Sequence, residues 1–170
     1  MSGPVAILIG PPGAGKSTVG ALLAGQLGVA FTDTDTAIEE SVGKPVSDIF
    51  VQDGEPAFRA LEQATAARLI GGEPGVLALG GGAVLDPATQ RLLAGQRVIY
   101  LETGFRTMVH RSGLDGPHPP IPGNPRGRLK QMLDERHPVY AGLAWRTVCT
   151  DDRNPEDLAG FLAAELAAQP

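Results

Sequence analysis

Hydrophobic residues along the chain fall into two alternating patterns. Short continuous runs rich in apolar residues occupy positions 5–9, 76–79 and 98–101, and such runs predict parallel strands that are buried on both faces. Between the runs, apolar residues recur every three or four positions, which is the spacing of a helix with one buried face. Strands that alternate with helices predict an α/β fold in which helices cover both faces of a parallel sheet.

The pattern predicts five strands and the helices that connect them. The strands cover residues 5–9, 29–32, 76–79 and 98–101, and the fifth passes through Val148. The first helix carries Val19, Leu22, Leu23 and Leu27 and ends at Gly28, short helices follow near residues 35 and 46, and others cover residues 55–70, 87–93, 105–112, 126–140 and 155–168. We expect the helix over 126–140 to break at Pro138, because proline cannot continue the backbone hydrogen bonds. In the helix over 55–70, Phe58, Leu61, Thr65 and Leu69 share one mostly apolar face.

Residues 10–18 read Gly-Pro-Pro-Gly-Ala-Gly-Lys-Ser-Thr and match the phosphate-binding P-loop pattern G-x-x-x-x-G-K-[ST]. A predicted strand precedes the loop and a predicted helix follows it, which is the context the motif requires. Glycines let the backbone fold closely around phosphate oxygens, and the loop amides form an anion-binding nest at the start of the helix. Lys16 would bridge the β- and γ-phosphates, and the Ser17 hydroxyl would ligate Mg²⁺. The predicted ATP contacts in this loop are Gly13, Ala14, Gly15, Lys16, Ser17 and Thr18.

Two further predicted strands end in residues that can carry chemistry. Ligands of parallel sheets gather at the carboxyl ends of the strands, where Asp33-Thr34-Asp35 and Gly80-Gly81-Gly82 follow the second and third strands. We expect Asp33 to end a strand next to the P-loop strand and to hold a water of the Mg²⁺ shell. Asp35, one pleat further, would point toward the phosphoryl acceptor; its other interpretation is a helix N-cap, and the two roles can coexist. The glycine triplet would allow close approach of the acceptor and offer its amides as donors, or form a simple turn.

The bulk composition fits a single folded domain over residues 1–170. Hydrophobic residues make up 42% of the chain, charged residues 19%, and the net charge is −5, which argues against a nucleic-acid partner because phosphate backbones require a basic face. Cys149, the one cysteine, lies in a strand-like apolar stretch, and we interpret it as core filler in a reducing compartment. No apolar stretch approaches the roughly 20 residues that span a bilayer. The N-terminus enters the first strand with no signal-like segment, so we expect a cytoplasmic protein without a membrane partner.

Taken together, these motifs resemble the shikimate kinases, P-loop kinases of aromatic amino-acid and chorismate biosynthesis. The resemblance covers nearly the whole chain and combines the P-loop with Asp33-Thr34-Asp35, Phe58-Arg59 followed by Glu62, Gly80-Gly81-Gly82, Arg111, Arg136, Tyr140 and Arg153-Asn154-Pro155. It implies a three-layer P-loop kinase fold with a five-stranded parallel sheet and a mobile lid. It also implies an enzyme that uses ATP as co-substrate and Mg²⁺ as cofactor to phosphorylate the 3-hydroxyl of shikimate. We expect this enzyme to be a monomer.

The resemblance also implies roles for individual residues. Asp35 would be catalytic together with Lys16, because the matching aspartate orients the attacking hydroxyl and can deprotonate it. The ring carboxylate of shikimate would be held by Arg59 and Arg136, since a guanidinium pairs with a carboxylate in two parallel hydrogen bonds. Glu62, three residues after Arg59, could fix its rotamer, although the pair could equally be an ordinary surface pair. The remaining acceptor contacts would be Phe50, Phe58, Gly80, Gly81 and Gly82, with Phe50 and Phe58 open to a plain core role, and Arg111 and Arg153 would line the adenine.

The predicted lid, residues 113–125, departs from the family pattern. Shikimate kinases carry an arginine followed by Pro-Leu-Leu there, whereas this chain has His118-Pro119-Pro120-Ile121. Histidine is mostly neutral near pH 7, so a permanent cation beside the transferred phosphate is lost. Either His118 is protonated beside the ATP phosphates, or Arg126 or Arg128 takes its place, or the chain is a paralogue with weak turnover.

Two alternatives to the shikimate hypothesis stay open at the level of sequence. One is a P-loop kinase for another small hydroxy acid such as gluconate, which two carboxylate-binding arginines would also suit. The other is a nucleotide-binding module in which the altered lid has abolished transfer. The region of residues 35–72 would bind the acceptor in either kinase.

Overall fold

The computed structural model describes residues 3–72, 74–114 and 123–169 and contains one parallel β-sheet. Its strands are β1 (Ala6–Ile9), β2 (Ala30–Asp33), β3 (Gly75–Ala78), β4 (Val98–Glu102) and β5 (Arg146–Cys149). They lie in the order β2-β3-β1-β4-β5, and every neighbouring pair is parallel. The prediction of five parallel strands is confirmed. One detail was wrong: β3 separates β2 from the P-loop strand β1, so Asp33 does not end a strand adjacent to β1.

Eight α-helices and one short 3₁₀ helix connect the described strands. They are α1 (Lys16–Leu27), α2 (Thr34–Val42), α3 (Val46–Asp53), α4 (Glu55–Ile70), α5 (Pro87–Leu93), α6 (Phe105–Arg111), α7 (Pro125–Leu143) and α8 (Pro155–Ala168), with the 3₁₀ turn at Ala83–Leu85. Gly28 ends α1 in the left-handed conformation, as predicted for a glycine just past a helix.

Helix α7 continues through Pro138, where the sequence predicted a break. Proline at this position removes the hydrogen bond to the carbonyl of Asp134. Both residues lie on the exposed side of the helix, where water can satisfy that carbonyl. The last turns are retained because Tyr140, which is 1% exposed, anchors them in the core.

The core lies on both faces of the sheet. On one face, β-strand side chains such as Leu8 and Ile99 pack with Leu23 of α1 and Leu162 of α8. On the other face, residues of α4, α5 and α7 pack against the alternate strand positions. The three central strands β3, β1 and β4 therefore bury both of their faces, which explains why β1 is apolar at every position.

A third, smaller cluster joins α2, α3 and α4 beyond the edge of the sheet. Ile38, Ile49 and Phe58 form its centre. The buried face of α4 runs through Phe58, Glu62, Ala66 and Ile70. The predicted face, which continued from Phe58 through Leu61, Thr65 and Leu69, was therefore wrong by a fraction of a turn. Those last three residues are half-buried and lie beside the buried face. The error arose because the buried stripe contains a glutamate, which a hydrophobic pattern does not count.

The interpretation of Cys149 as core filler was also wrong, because its side chain is exposed. It ends β5, an edge strand whose side chains alternate between the two faces. Val148 points into the α1–α8 side of the core, whereas Cys149 points to the opposite face, which is open at this edge. In the part of the chain that the structure describes, no helix is long and apolar enough to cross a membrane.

Candidate active site

The P-loop links β1 to α1 in a conformation that only glycines adopt readily. Gly10, Gly13 and Gly15 all have positive φ angles, of 151°, 81° and 95°. A Cβ on Gly10 would also lie 2.7 Å from the Leu101 carbonyl oxygen, so this position is restricted by space as well as by backbone angle. The loop therefore presents its amides at the start of α1, where the helix dipole favours an anion.

Lys16, the first residue of α1, folds back over this loop. Its Nζ donates hydrogen bonds to the carbonyl oxygens of Gly10 at 2.7 Å and Pro11 at 3.0 Å. Burial lowers the pKa of Lys16 from 10.5 to about 8, although the charges of Asp33 and Asp35 oppose the shift. A desolvated ammonium gains most from a nearby anion, so the site suits a phosphate group beside Lys16.

Asp33 connects the P-loop helix to α2. Its Oδ2 accepts a hydrogen bond from the Ser17 hydroxyl at 2.7 Å, and its Oδ1 accepts one from the Asp35 N–H at 2.9 Å. The second bond is an N-cap, so the N-cap of α2 is Asp33 and not Asp35. Asp35 also lies in the first turn of α2 and not on a further pleat of the strand, as the sequence had suggested. The helix turn nevertheless directs Asp35 into the same cavity as the P-loop.

The surroundings of Asp35 disfavour the charged form of its carboxyl group. Burial raises its pKa from 3.8 to about 6, with further contributions from Asp33 and Glu62 that the charge of Lys16 only partly offsets. Its Oδ1 is buried and has no hydrogen-bond partner among the described residues. A buried carboxylate oxygen without a partner is unfavourable. A hydrogen bond from the hydroxyl of a bound acceptor to this carboxylate would reduce that cost.

The glycine triplet packs directly against these carboxylates. A Cβ on Gly80 would lie 2.8 Å from Glu62 Oε2 and 2.9 Å from Asp35 Oδ1, so only glycine fits between them. The prediction that the triplet offers free amides was wrong for Gly80, because its N–H donates to the Thr34 hydroxyl at 2.9 Å. Thr34 lies between the two aspartates in the sequence, and its side chain is buried. It is a site residue that the sequence did not reveal.

Arg59 projects from α4 toward the glycine triplet, where a Cβ on Gly82 would clash with its guanidinium. Its Nη1 lies 2.7 Å from Oε1 of Glu62, a carboxylate that is 3% exposed, and its Nε lies 3.4 Å from Glu55. The guanidinium carbon stands 5.9 Å and 5.4 Å from the ring centres of Phe50 and Phe58. The buried Glu62 excludes the alternative of an ordinary surface pair.

The two phenylalanines differ in their surroundings. Phe58 is a core residue, 3% exposed, whereas Phe50 is half-buried and packs on it with ring centres 4.6 Å apart. Phe50 is therefore the one with surface left for an acceptor ring.

Arg136 reaches the site from α7. Its charge adds to the burial that lowers the pKa of Lys16, and it opposes the burial that raises the pKa of Tyr140, one turn further along α7. The fold thus brings Arg59 and Arg136 toward one region from two helices that are far apart in sequence. Neither belongs to the described wall of the cavity beside the P-loop.

A cavity of about 600 Å³ runs from the P-loop past the strand ends, a volume typical of small-molecule sites. Its described walls comprise residues 12–19, Asp33, Asp35, Leu79, Gly80, Gly81, Arg111, Thr150, Arg153, Pro155 and Leu158. Every predicted ATP contact in the P-loop lies in this wall, as do Arg111 and Arg153.

The two arginines are held in different ways. Arg111 donates to the Gly13 carbonyl oxygen at 2.9 Å, so it braces the P-loop. Arg153 lies over the ring of Phe161 on α8, 5.5 Å from its centre. Thr150 had no motif to mark it, and only the fold brings it to the cavity wall.

The lid prediction concerns residues that lie mostly outside the described part of the chain, His118 among them. Arg126 and Arg128 are described, and both are exposed near the start of α7. Neither is part of the described cavity wall, and a Cβ on Gly123 would lie 3.3 Å from the Arg128 guanidinium.

The donors around Ser17 fit a magnesium ion that is shared with a nucleotide. The described residues contain no group of three or more His, Cys, Asp or Glu side chains that could hold a metal alone. Mg²⁺ needs few protein ligands when phosphate oxygens and waters complete its octahedron. The Ser17 hydroxyl and the Asp33 carboxylate, already joined at 2.7 Å, are hard oxygen donors at the phosphate end of the cavity.

A phosphate loop of this form, set beside an acceptor pocket with a poised carboxylate, is the arrangement of the P-loop kinases that act on small molecules, and this chain is one of them. The family model for shikimate kinase matches residues 12–167. The chain belongs to the shikimate kinase family.

Individual relatives agree with that assignment. A shikimate kinase of Thermobifida fusca is 54% identical over 167 residues, covering 98% of this chain and 97% of that protein. One from Salinispora arenicola is 51% identical over 165 residues, covering 97% and 99%. Among solved structures, the shikimate kinase from Acinetobacter baumannii in complex with shikimate matches with a TM-score of 0.83 at 33% identity, covering 98% of this chain and 94% of that one.

Proposed function

We propose that this protein transfers the γ-phosphoryl group of ATP to the 3-hydroxyl of shikimate, and that Asp35 aligns that hydroxyl. The observation that carries the proposal is the Asp35 carboxylate, which lines the cavity that the P-loop also lines and whose buried Oδ1 has no hydrogen-bond partner among the described residues. An acceptor hydroxyl in this cavity would donate a hydrogen bond to the Asp35 carboxylate and place its oxygen in line with a phosphate held at Lys16. Such alignment of reacting atoms accelerates transfer without covalent help from the protein.

The transfer itself requires one bond to form and one to break. The acceptor oxygen attacks the γ-phosphorus while the bond from that phosphorus to the β–γ bridging oxygen breaks, and ADP leaves with the bond's electrons. The hydroxyl proton passes toward Asp35, whose pKa of about 6 makes it a better acceptor than an ordinary aspartate near neutral pH. The buried ammonium of Lys16 and the P-loop amides stabilise the charge on the phosphates.

Ser17, with Asp33 acting through a water, would hold Mg²⁺ in this site. When bound, the ion neutralises phosphate charge and orients the oxygens for in-line displacement. Asp33 contributes in another way as well, because it fixes the Ser17 hydroxyl and caps the helix that carries Asp35.

The acceptor carboxylate would be held by Arg59 and Arg136. Glu62 pins Arg59 by a 2.7 Å ion pair, so the guanidinium is oriented before the acceptor arrives, which reduces the entropy lost on binding. Phe50 and Phe58 would pack on the ring, and the triplet Gly80–Gly82 would admit it closely. Shikimate is preferred over gluconate as the acceptor because the relatives that match the whole chain are shikimate kinases.

An ADP-release assay with shikimate, gluconate and no acceptor tests this proposal. We expect release that depends on shikimate and Mg²⁺, and phosphorus NMR of the product should place the phosphate on the 3-hydroxyl. The methyl ester of shikimate is the matched control, because it keeps every hydroxyl and loses the charge that the arginines recognise. ATP binding without acceptor-dependent release would favour the nucleotide-binding alternative, and release with gluconate would favour the other kinase.

Several further features belong to the same proposal. Residues 1–170 would form one kinase domain, with residues 35–72 binding the acceptor and residues 113–125 acting as the lid. ATP would contact His118 in that lid and have its adenine beside Arg111 and Arg153. We also propose a cytoplasmic monomer without nucleic-acid or membrane partners, in keeping with the net charge of −5.

A further inference from the structure

Tyr140 lies where α7 meets the glycine triplet, and its environment is built around the hydroxyl group. The side chain is 1% exposed. Its Oη donates a hydrogen bond of 2.6 Å to the carbonyl oxygen of Gly81, 59 residues earlier in the chain. An apolar side chain would fill this place equally well if only packing mattered, so the hydroxyl invites a functional explanation.

The same hydroxyl also interacts with Arg136, one helical turn earlier on α7. Burial raises the pKa of Tyr140, and the nearby Arg136 guanidinium opposes that shift, which places the guanidinium close to the Tyr140 oxygen. A phenol has one hydrogen to donate and lone pairs to accept with. Donation to Gly81 therefore leaves the oxygen free to accept from Arg136, and both contacts can form together.

The geometry points to Tyr140 as a positioning residue for acceptor binding, because its buried hydroxyl holds the Gly81 peptide and lies one turn from Arg136 on the same helix. Arg136 is otherwise half-exposed, and a free arginine side chain loses much rotamer entropy when it is fixed by a ligand. Tyr140 would hold the guanidinium in place beforehand. It would also fix the Gly81 peptide, whose neighbour Gly80 lies against Asp35 and Glu62.

Two observations support this role independently. Burial raises the pKa of Tyr140, so the hydroxyl keeps its proton and stays a donor to Gly81 throughout the range in which the enzyme would work. The ring is also held from behind, because Tyr100 of β4 packs against it with ring centres 5.0 Å apart. The hydroxyl therefore has little freedom to leave its two partners.

Tyr100 provides a matched control. It is as deeply buried as Tyr140, at 3% exposure, but its hydroxyl meets Nδ1 of the exposed His137 at 3.0 Å, away from the acceptor side. Tyr100→Phe and Tyr140→Phe thus remove the same atom from neighbouring rings, and only the second removes it from Arg136 and Gly81.

The test compares steady-state constants for the two variants. We expect Tyr140→Phe to raise KM for shikimate by about tenfold, in line with the loss of a hydrogen bond to a charged group. KM for ATP should stay within about twofold by the same reasoning, because the lost contacts lie on the acceptor side. Tyr100→Phe should leave both constants near the wild-type values. KM does not depend on the folded fraction of a sample, so partial unfolding does not obscure the comparison.

A double-mutant cycle separates positioning from a general structural effect. If Tyr140 acts through Arg136, then Tyr140→Phe should have little effect on KM for shikimate once Arg136→Met is present. Arg136→Lys is a second variant that needs no change at Tyr140: an ammonium lacks the fork that could hold the acceptor carboxylate and the hydroxyl together, so KM should rise by a similar factor.

Equal constants for Tyr140→Phe and Tyr100→Phe, or additive effects in the cycle, would overturn the inference. The inference rests on the proposed function, and the two can fail separately. Absence of shikimate phosphorylation by the wild-type protein would refute the function, whereas wild-type turnover with an unaffected Tyr140→Phe variant would refute the positioning role alone.

Discussion

Asp33 and Ser17 form a 2.7 Å hydrogen bond that joins the phosphate end of the site to its acceptor end. The same Asp33 carboxylate uses its other oxygen to cap α2 through the N–H of Asp35. One side chain thus fixes the predicted metal ligand with Oδ2 and the predicted catalytic aspartate with Oδ1. This linkage is possible although β2 and β1 are not neighbours in the sheet, because the P-loop and the start of α2 both extend beyond the strand ends.

Capping and metal binding by Asp33 can be separated with two substitutions. Asparagine caps helices as well as aspartate does, whereas alanine does not, and loss of a cap costs about 1 kcal/mol of stability. We therefore expect Asp33→Ala to lower the free energy of unfolding by about 1 kcal/mol and Asp33→Asn to change it much less. Both variants should need more Mg²⁺ for half-maximal activity, because both lose the charge. Chemical denaturation and a Mg²⁺ titration measure the two effects, and an unchanged Mg²⁺ requirement in Asp33→Asn would remove Asp33 from the metal site.

The ionised form of Asp35 should destabilise the folded protein. Its pKa is raised from 3.8 to about 6 on folding, so the folded state binds a proton more tightly than the unfolded state does. The stabilising contribution is full below pH 3.8 and is lost as the pH rises through 6. Asp35→Asn should therefore raise Tm relative to wild type at pH 8, and the difference should shrink as the pH falls below 6.

The same variant should lose catalysis. We expect kcat to fall by about 10²–10⁴-fold, which is the usual contribution of a general base. Asp134→Asn is the control, since Asp134 is exposed and its ion-pair partner among the described residues is Lys130 at 3.1 Å, and it should affect neither property. A Tm difference for Asp35→Asn that is the same at pH 4 and pH 8 would contradict the assigned titration.

Gly80 should be intolerant of a side chain for steric reasons alone. A methyl group would lie 2.8 Å from Glu62 Oε2 and 2.9 Å from Asp35 Oδ1, so one of the two carboxylates must move. Gly80→Ala should lower kcat/KM for shikimate by at least about 10-fold, because small displacements of aligned groups have large effects on transfer. Gly25→Ala on α1 is the matched control: its Cβ would meet nothing within 4 Å, and alanine should stabilise that helix by about 0.5–1 kcal/mol. Normal kinetics in Gly80→Ala would show that the pocket is less tightly packed than its geometry implies.

His118→Arg should raise kcat if the lid lacks a permanent cation. An arginine delivered to a transferring phosphoryl group is worth roughly 10³–10⁵ in rate in other enzymes, so even a partial effect should be measurable under saturating ATP and shikimate. This expectation rests on the sequence, since His118 lies outside the described residues. An unchanged or lower kcat would indicate that another group, such as Arg126 or Arg128, already supplies the charge.

Asp33 and Tyr140 differ in how much of their role in the site could be predicted from the sequence. Asp33, Asp35 and Lys16 belong to motifs whose residue types and spacing are dictated by phosphate and metal chemistry, so their place in the site was predictable. The details of Asp33 and Asp35 were not, because a helix cap and a sheet order depend on how the chain turns after β2. Tyr140 had a family match but no chemical role in the sequence, since its partner Gly81 is 59 residues away.

Local patterns along the chain were enough to predict the alternation of strands and helices, the P-loop, the strand-end residues and the family resemblance, because each of these has a local physical cause. Other features became visible only in the folded structure: the burial of Glu62 beside Arg59, the exposure of Cys149 on an edge strand and the continuation of α7 through Pro138. The same holds for the buried Oδ1 of Asp35, which has no hydrogen-bond partner among the described residues. Each of these depends on contacts between segments that are distant in the chain. Burial, ion pairing and shifts of pKa arise only when those segments are packed together.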